Sequence, residues 1–452
     1  MRTIATLVFA TAAAMEMCAV NPVVKTSFTP DPAPYVHNDT VYLFTGHDEN
    51  DAQYFKMKDW QLFSTTDMVN WTYRGTPLST ANFKWAKQGD NAWASQAVER
   101  NGKWYWYICA EDTTCGLHGI GVAVADRPEG PYTDPLGKPL VPGSWGFIDP
   151  TVFIDDDGKA YLFWGNNGLW YAELNPDMIS LASEVKPVAD LNNPEAFGEL
   201  RMKHDWQLGK EVMKTNFEEG PWLDKRNGIY YLSYAAGGVP EHMAYSTATS
   251  IHGPWKYMGR IMSESPGSFT IHGGNISING RDFMFYHQGL APNGSGFRRS
   301  AAVEEFTWSG DSIPFIPFSE EGVVIPLKNL DPFATVEAET MADSWGVKTD
   351  RTAGTSHYLT SIHNGDWTRL RSVDLGNGGS RLVAKVLNVK NPGTIEFLVD
   401  GEKTPFAVVP VENAGEITVD VNSDIKGVNN IMILFRGGDE ELFDFDSWQL
   451  IR

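Results

Sequence analysis

Three acidic residues sit at the starts of three aromatic strands: Asp31 in TPDPAPYV, Asp149 in GFIDPTVF and Glu219 in EEGPWL. Carboxylates are the groups that glycosidic-bond hydrolysis needs. A protonated one gives its proton to the leaving oxygen, and an ionised one activates water or attacks directly. When water attacks, the pair stands roughly 6.5–9.5 Å apart and the anomeric configuration inverts. A third carboxylate beside the acid raises its pKa by like-charge repulsion and keeps it protonated near neutral pH. Asp-Pro is also a turn-forming pair, and Pro at a strand start costs no ladder hydrogen bond. Turn chemistry alone does not require Glu219, which is followed by Gly rather than Pro.

Residues so far apart meet only if the fold brings distant strands to one point. Five segments share one shape: an apolar strand, a tight turn and an aromatic strand. They are PAPYVHNDTVYLFTGHD, SQAVERNGKWYWYICAED, PTVFIDDDGKAYLFWGN, GPWLDKRNGIYYLSYAAG and GNISINGRDFMFYHQG. They recur every roughly 50 to 70 residues, and second hairpins such as WQLFSTTDMVNWTYRG lie between them. This predicts an all-β chain with a five-bladed β-propeller over residues 21–325. An array of sandwiches without radial closure is the alternative, and the even spacing favours closure. The first strand of each blade lines the propeller axis, so the acids would face one cavity. The pattern breaks near residue 309. Residues 326–334 read as a linker, and 335–452 as a β-sandwich (jelly-roll) of short strands.

Other residues near these strand starts could serve the same chemistry. Trp93, Trp145 and Trp222 offer flat faces for sugar stacking, or fill the core. Of Arg298 and Arg299, one could point inward to sugar hydroxyls or a carboxylate; both could equally be solvated. His272, in FTIHGGN, could contact the sugar, coordinate a cation on the axis, or simply be hydrogen-bonded in the core.

Composition narrows the partners. The net charge is −21 with no basic block to offset it, which argues against nucleic acid and against an anionic membrane surface. A neutral substrate fits better. Arg2 and the apolar run from Ile4 to about Ala14 predict a secretory signal over residues 1–20, and hence a periplasmic or extracellular protein. The run is too short to span a bilayer, and no later stretch is apolar enough. Cys18 could be a lipoprotein cysteine, although MEM is a weak lipobox. Cys109 and Cys115 could form a disulfide or remain free, and no CxxC pair suggests zinc.

With these residues placed, the chain resembles glycoside hydrolase family 43 over about residues 21 to 325. The likeness rests on the order and spacing of TPDPAPYV, GFIDPTVF, EEGPWL, TIHGGN and FRRSAAV. It implies a five-bladed propeller and an inverting mechanism that needs no cofactor for its chemistry. By the same likeness Asp31 is the general base, Glu219 the general acid, and Asp149 the residue that tunes and orients the acid. His272 matches an axial histidine near calcium or another cation, and Glu218 competes with Glu219. The "WAS" at Trp93 departs from the family's usual Trp-Ala-Pro.

The C-terminal segment resembles carbohydrate-binding module family 6 through VEAET, NGDW and FDFDSW. That implies a structural calcium held partly by Glu337, Glu339 and Asp446. Trp345 or Trp367 would be the residue to stack on a glycan.

The expected activity is exo-acting release of terminal α-L-arabinofuranosyl residues from plant cell-wall arabinoxylan or xylan-derived chains. β-D-Xylosidase or dual activity is the runner-up, because the family uses the same three carboxylates for both. A non-catalytic glycan-binding propeller is a further alternative, opposed by the intact acids.

Overall fold

The structure is a computed structural model that describes residues 20–199, 215–352, 356–422 and 424–452. The export segment and Cys18 lie outside these residues. No helix among them is long and apolar enough to cross a membrane. Cys109 and Cys115 are both free thiols, the first buried and the second exposed.

The Asn-Gly pairs make the turns that their chemistry dictates. Ser95–Arg100 pairs with Lys103–Asp112 around Asn101-Gly102, Phe217–Arg226 with Ile229–Ala236 around Asn227-Gly228, and Asn275–Ile278 with Arg281–Gln288 around Asn279-Gly280. Both residues of each pair have positive φ, the conformation that matches strand twist in a two-residue hairpin loop. Blades one and three begin with Ala33–His37 and Thr151–Ile154, paired antiparallel to Thr40–Thr45 and Ala160–Trp164.

The blades close into a ring. The first strand of blade one touches the first strands of blades two and five, and that of blade three touches those of blades two and four. Blades four and five are tied by the Asn275 side-chain amide, which donates to Asp224 Oδ2 at 2.6 Å. The apolar core is divided into wedges between neighbouring blades. Phe44, Trp60, Trp104 and Trp106 fill the first wedge, and Phe163, Phe217 and Tyr234 the third. Large flat rings suit gaps that widen away from the axis, which accounts for the aromatic content.

Blade five has three strands of its own, the last being Ser300–Phe306, instead of the expected four. The beginning of the described chain lies beside that strand. The Val23 and Thr29 amides donate to the Ala301 and Arg299 carbonyls, each at 2.8 Å. Asn21, buried, donates to Glu304 Oε1 and to the Val303 carbonyl, and accepts from the Val303 amide. The two ends of the propeller sequence are thus joined in one blade.

The C-terminal module packs a five-stranded sheet against a six-stranded one, around Phe397, Phe435, Phe445 and Trp448. It is fastened to blade one. Thr340–Met341 pairs with Trp71–Tyr73 and extends that blade's sheet. The Asn70 side chain bonds both the amide and the carbonyl of Arg371, and Lys25 forms a 2.7 Å ion pair with Asp343. The segment expected as a linker runs along this junction, where the Leu327 amide donates to the Asp67 carbonyl.

Candidate active site

Asp31, Asp149 and Gly220 share one backbone device. Each precedes a proline and has a left-handed φ, of 54°, 58° and 59° respectively. A non-glycine residue in this region is uncommon, and for Asp31 and Asp149 the surrounding ring must hold the conformation. Blade four has Gly at that position because a Cβ on Gly220 would lie 3.2 Å from the His272 ring. Its acid is therefore one residue earlier, at Glu219. Register shifts on either side of Glu219 make a bulge, a distortion that re-aims a side chain.

All three acids reach one cavity of about 420 Å³, together with Glu218, Glu241 and Arg299. Asp149 Oδ2 accepts the Gly220 amide at 3.0 Å and so fixes the peptide next to Glu219. The Asn166 side-chain amide donates to Glu219 Oε2 at 2.5 Å. His272 lies between the two aspartates, with Nδ1 4.0 Å from Asp31 and 3.9 Å from Asp149. These distances are too long for hydrogen bonds.

Arg299 is the inward arginine, and it meets carboxylates. Its Nε and Nη2 donate to the two oxygens of Asp48, each at 3.0 Å, and Nη1 donates to Asp31 Oδ1 at 3.3 Å. Asp48 is fully buried and Arg299 is 4% exposed, so this ion cluster is shielded from water. The Asp31 amide donates to His287 Nδ1, and His287 Nε2 donates to the Thr270 carbonyl at 2.9 Å. That arrangement is the neutral tautomer, and burial holds the His287 pKa down accordingly.

The acids separate electrostatically. Burial is the largest single influence on Asp31 and pushes it up, but the Arg299 guanidinium and the His287 and His272 side chains together outweigh it and hold this carboxyl well below the usual range. Burial and then the neighbouring Glu219 and Asp31 raise Asp149 well above that range. Burial also raises Glu219, opposed by the Asn166 hydrogen bond and reinforced by Asp31. Glu218 is pushed up to about 7 by burial and by Glu219. His272 is depressed to about 4, mainly by burial, and is neutral at pH 7. One carboxyl is thus lowered opposite carboxyls that are raised, the direction of separation that acid–base hydrolysis requires.

The aromatic expectations divide. Trp93 lines the cavity, stacks on His118 at 4.5 Å and donates its indole N–H to the Phe55 carbonyl. Trp145, 67% exposed, stands at the mouth. Trp222 is a correction. It is buried against Gly274, where a Cβ would overlap its indole, and borders a different cavity farther along the inner strands. Arg298 is also a correction: its guanidinium turns to the Asn293 and Ala52 carbonyls, while Arg299 takes the inside.

The family model for "Glycosyl hydrolases family 43" matches residues 19–314, and that for "Carbohydrate binding module (family 6)" matches residues 337–452. The chain belongs to glycosyl hydrolase family 43. This family 43 chain is 30% identical to an arabinoxylan arabinofuranohydrolase of Paenibacillus polymyxa, over 95% of its own length and 74% of the relative's. It is 29% identical to an arabinoxylan arabinofuranohydrolase of Bacillus subtilis (strain 168), over 95% and 92% of the two chains. A xylosidase/arabinosidase 43A of Humicola insolens is 31% identical over 64% of this chain and 97% of the relative. A solved family 43 arabinoxylan arabinofuranohydrolase of Bacillus subtilis, in complex with cellotetraose, superposes with a TM-score of 0.79 at 26% identity. The match covers 96% of this chain and 97% of that one.

In the module of this family 43 hydrolase, Glu337 and Glu339 lie close to Asp446. The Ala338 amide donates to the Asp446 carbonyl at 2.9 Å, and each glutamate feels the Asp446 charge. Burial lifts Glu339 to about 8, and its Oε2 is buried with no hydrogen-bond partner. The Asp446 carboxylate is already engaged by Lys385 at 3.0 Å and Ser356 at 3.0 Å. Trp345 is 58% exposed and sits opposite Trp367 on the neighbouring strand. Among the described residues no three His, Cys, Asp or Glu side chains gather as a metal cluster, around His272 or elsewhere.

Arg299→Met strands two buried carboxylates. It is expected to lower stability at pH 7 by about 3–5 kcal/mol, the cost of an uncompensated buried charge. Asp31, whose pKa is depressed from 3.8, contributes stability that is present above that value and is lost as pH falls below it. The deficit of the variant therefore narrows toward acid pH. Denaturant unfolding of both proteins between pH 7 and pH 3 checks this, and a deficit independent of pH contradicts it.

Proposed function

We propose that the chain is an inverting, exo-acting glycoside hydrolase that releases terminal α-L-arabinofuranosyl residues from arabinoxylan or its oligosaccharides. The observation that carries this is the meeting, in one cavity, of Asp31, hydrogen-bonded to Arg299, with the buried carboxyl of Glu219, whose pKa burial raises. The ionised Asp31 is the general base. It takes a proton from water as that water attacks the anomeric carbon. Glu219 is the general acid and gives its proton to the departing oxygen, which also receives the electrons of the breaking bond. Asp149, through the Gly220 amide, orients Glu219. Trp93 and Trp145 provide faces for the sugar and the chain it leaves.

Relatives described as arabinoxylan arabinofuranohydrolases align with 95% of the chain, module included, which favours arabinose over xylose. The second reading, β-D-xylosidase or dual activity, is supported by a β-xylosidase of Xylanibacter ruminicola and xylosidase/arabinosidases that align with the propeller portion. Export follows in this proposal from the N-terminal apolar run and from a substrate found in plant cell walls.

The module's calcium belongs to the same reading. The unpartnered Glu339 Oε2 beside Glu337 suits an oxygen-seeking cation, whereas the Asp446 carboxylate is spent on Lys385 and Ser356. The two glutamates would hold the ion at the start of the module.

Product analysis on arabinoxylan tests the function. Free arabinose is expected, and Asp31→Asn and Glu219→Gln should each lose about 10²–10⁴-fold in rate without unfolding. Free xylose as the main product selects the second reading, and undiminished activity in either variant removes that residue from its role. For the calcium, EDTA should lower the melting temperature of the wild-type module but not that of a Glu337→Gln/Glu339→Gln double variant. An unchanged wild-type melting curve rules the ion out.

A further inference from the structure

A fifth carboxyl of the cavity stands beside Glu219. Glu241 follows Val239-Pro240 in the loop after the second strand of blade four, is 1% exposed, and still borders the cavity. Its Oε2 accepts the Ile271 amide at 2.9 Å, and its own amide donates to the Phe269 carbonyl at 2.9 Å. Its carboxyl is hydrogen-bonded to that of Glu219. Two carboxyls can share such a bond only if one of them carries a proton.

We propose that Glu241 is a positioning residue that keeps its proton throughout turnover, donates it as a hydrogen bond to Glu219, and stabilises the Glu219 carboxylate formed when the leaving group is protonated. The inference rests on Glu219 being the general acid.

The surroundings decide which partner holds the shared proton. Glu241 faces Glu219 and Glu218 from blade four and Asp149 from blade three, and burial followed by these charges raises it well above the ordinary range. Glu219 also faces Asp31, but it has the Arg299 cation within reach and the Asn166 amide on one oxygen. Glu241 is therefore the donor. With Asn166 on Oε2 and Glu241 beside it, Glu219 is supported in the charge state it reaches on giving up its proton. No atom passes from Glu241 in the cycle: the Glu219 proton goes to the departing oxygen, and water restores it from solvent.

The sign for pH follows. A general acid works while protonated, so its pKa sets the alkaline limb of the rate profile. A hydrogen bond to the ionised form lowers that pKa. Removing the donor raises the pKa of Glu219 and weakens it as an acid.

The test uses the full chain with Glu241→Gln and Glu241→Leu, assayed on arabinoxylan and on 4-nitrophenyl α-L-arabinofuranoside, whose leaving group needs little protonation. Gln keeps an N–H donor, so its alkaline limb should stay within about 0.3 pH units of wild type. Leu should move that limb up by about one unit. It should also lose about 10-fold or more on arabinoxylan but under about 3-fold on the aryl substrate. A purely structural role would lower both substrates alike and leave the limb in place, and that result in Leu overturns the proposal. If Leu fails to fold, as read by circular dichroism, Gln decides alone: a shifted limb means that Glu241 titrates, and the proposal fails. Glu219→Gln serves as the control. Full arabinoxylan activity in that variant would sink the assignment of the acid itself, a failure distinct from any result at position 241.

Discussion

The site depends on a single buried cation. Among the described residues lining the catalytic cavity, Arg299 is the only Lys or Arg, and it is surrounded by Asp31, Asp149, Glu218, Glu219 and Glu241. Asp48, beneath it, takes two of its hydrogen bonds. One positive charge cannot neutralise so many acids in a place poor in water. Asp31, which touches it, is lowered, and Asp149, Glu218, Glu219 and Glu241 are raised. In the proposed mechanism, position relative to Arg299 sorts chemically similar side chains into base and acid. The same contact explains why the arginine is so deeply buried: it is fixed at both ends by carboxylates that need it.

The propeller exists in this account to hold that sorting still. Asp31, Asp149 and Glu219 come from blades one, three and four, and the cation from the residue just before the last strand of blade five, so no pair among them is set by local sequence. Wedges of Trp, Phe and Tyr between blades leave the inner strands little freedom to shift. The closure of blade five by the start of the chain has a direct consequence for the site, because the Thr29 amide binds the Arg299 carbonyl two residues before Asp31. The base and its cation are therefore positioned by neighbouring backbone. The module, by extending the sheet of blade one, buttresses the outer edge of the blade that carries the base.

Much of this was legible in the sequence, and what was missed has identifiable causes. Asn-Gly turns at even spacing revealed the hairpins, since that pair has few other uses. Asp31, Asp149 and Glu219 stood out because each lies by a proline at a strand start. The left-handed step they share with Gly220 explains why Glu219 is displaced by one residue. Trp222 misled because a tryptophan near the acid looks the same whether it faces the sugar or a glycine on the next blade. Arg298 and Arg299 are indistinguishable until the strand's phase is known. Asp48 closes an aromatic strand in TGHD and gave no sign that it would meet an arginine 251 residues away. Glu241 lies in a loop, and neither period nor motif marks it. Pairwise burial brings these residues together, and that is a property of the closed ring.

The claim most open to direct test is that Arg299 keeps Asp31 as an ionised base acting through water rather than as an attacking nucleophile. Proton NMR of the sugar released from an α-L-arabinofuranoside, followed from the first seconds of reaction, reports this. The account predicts that β-L-arabinofuranose forms first and then equilibrates. First appearance of the α-anomer would mean retention through a covalent intermediate, and would contradict it.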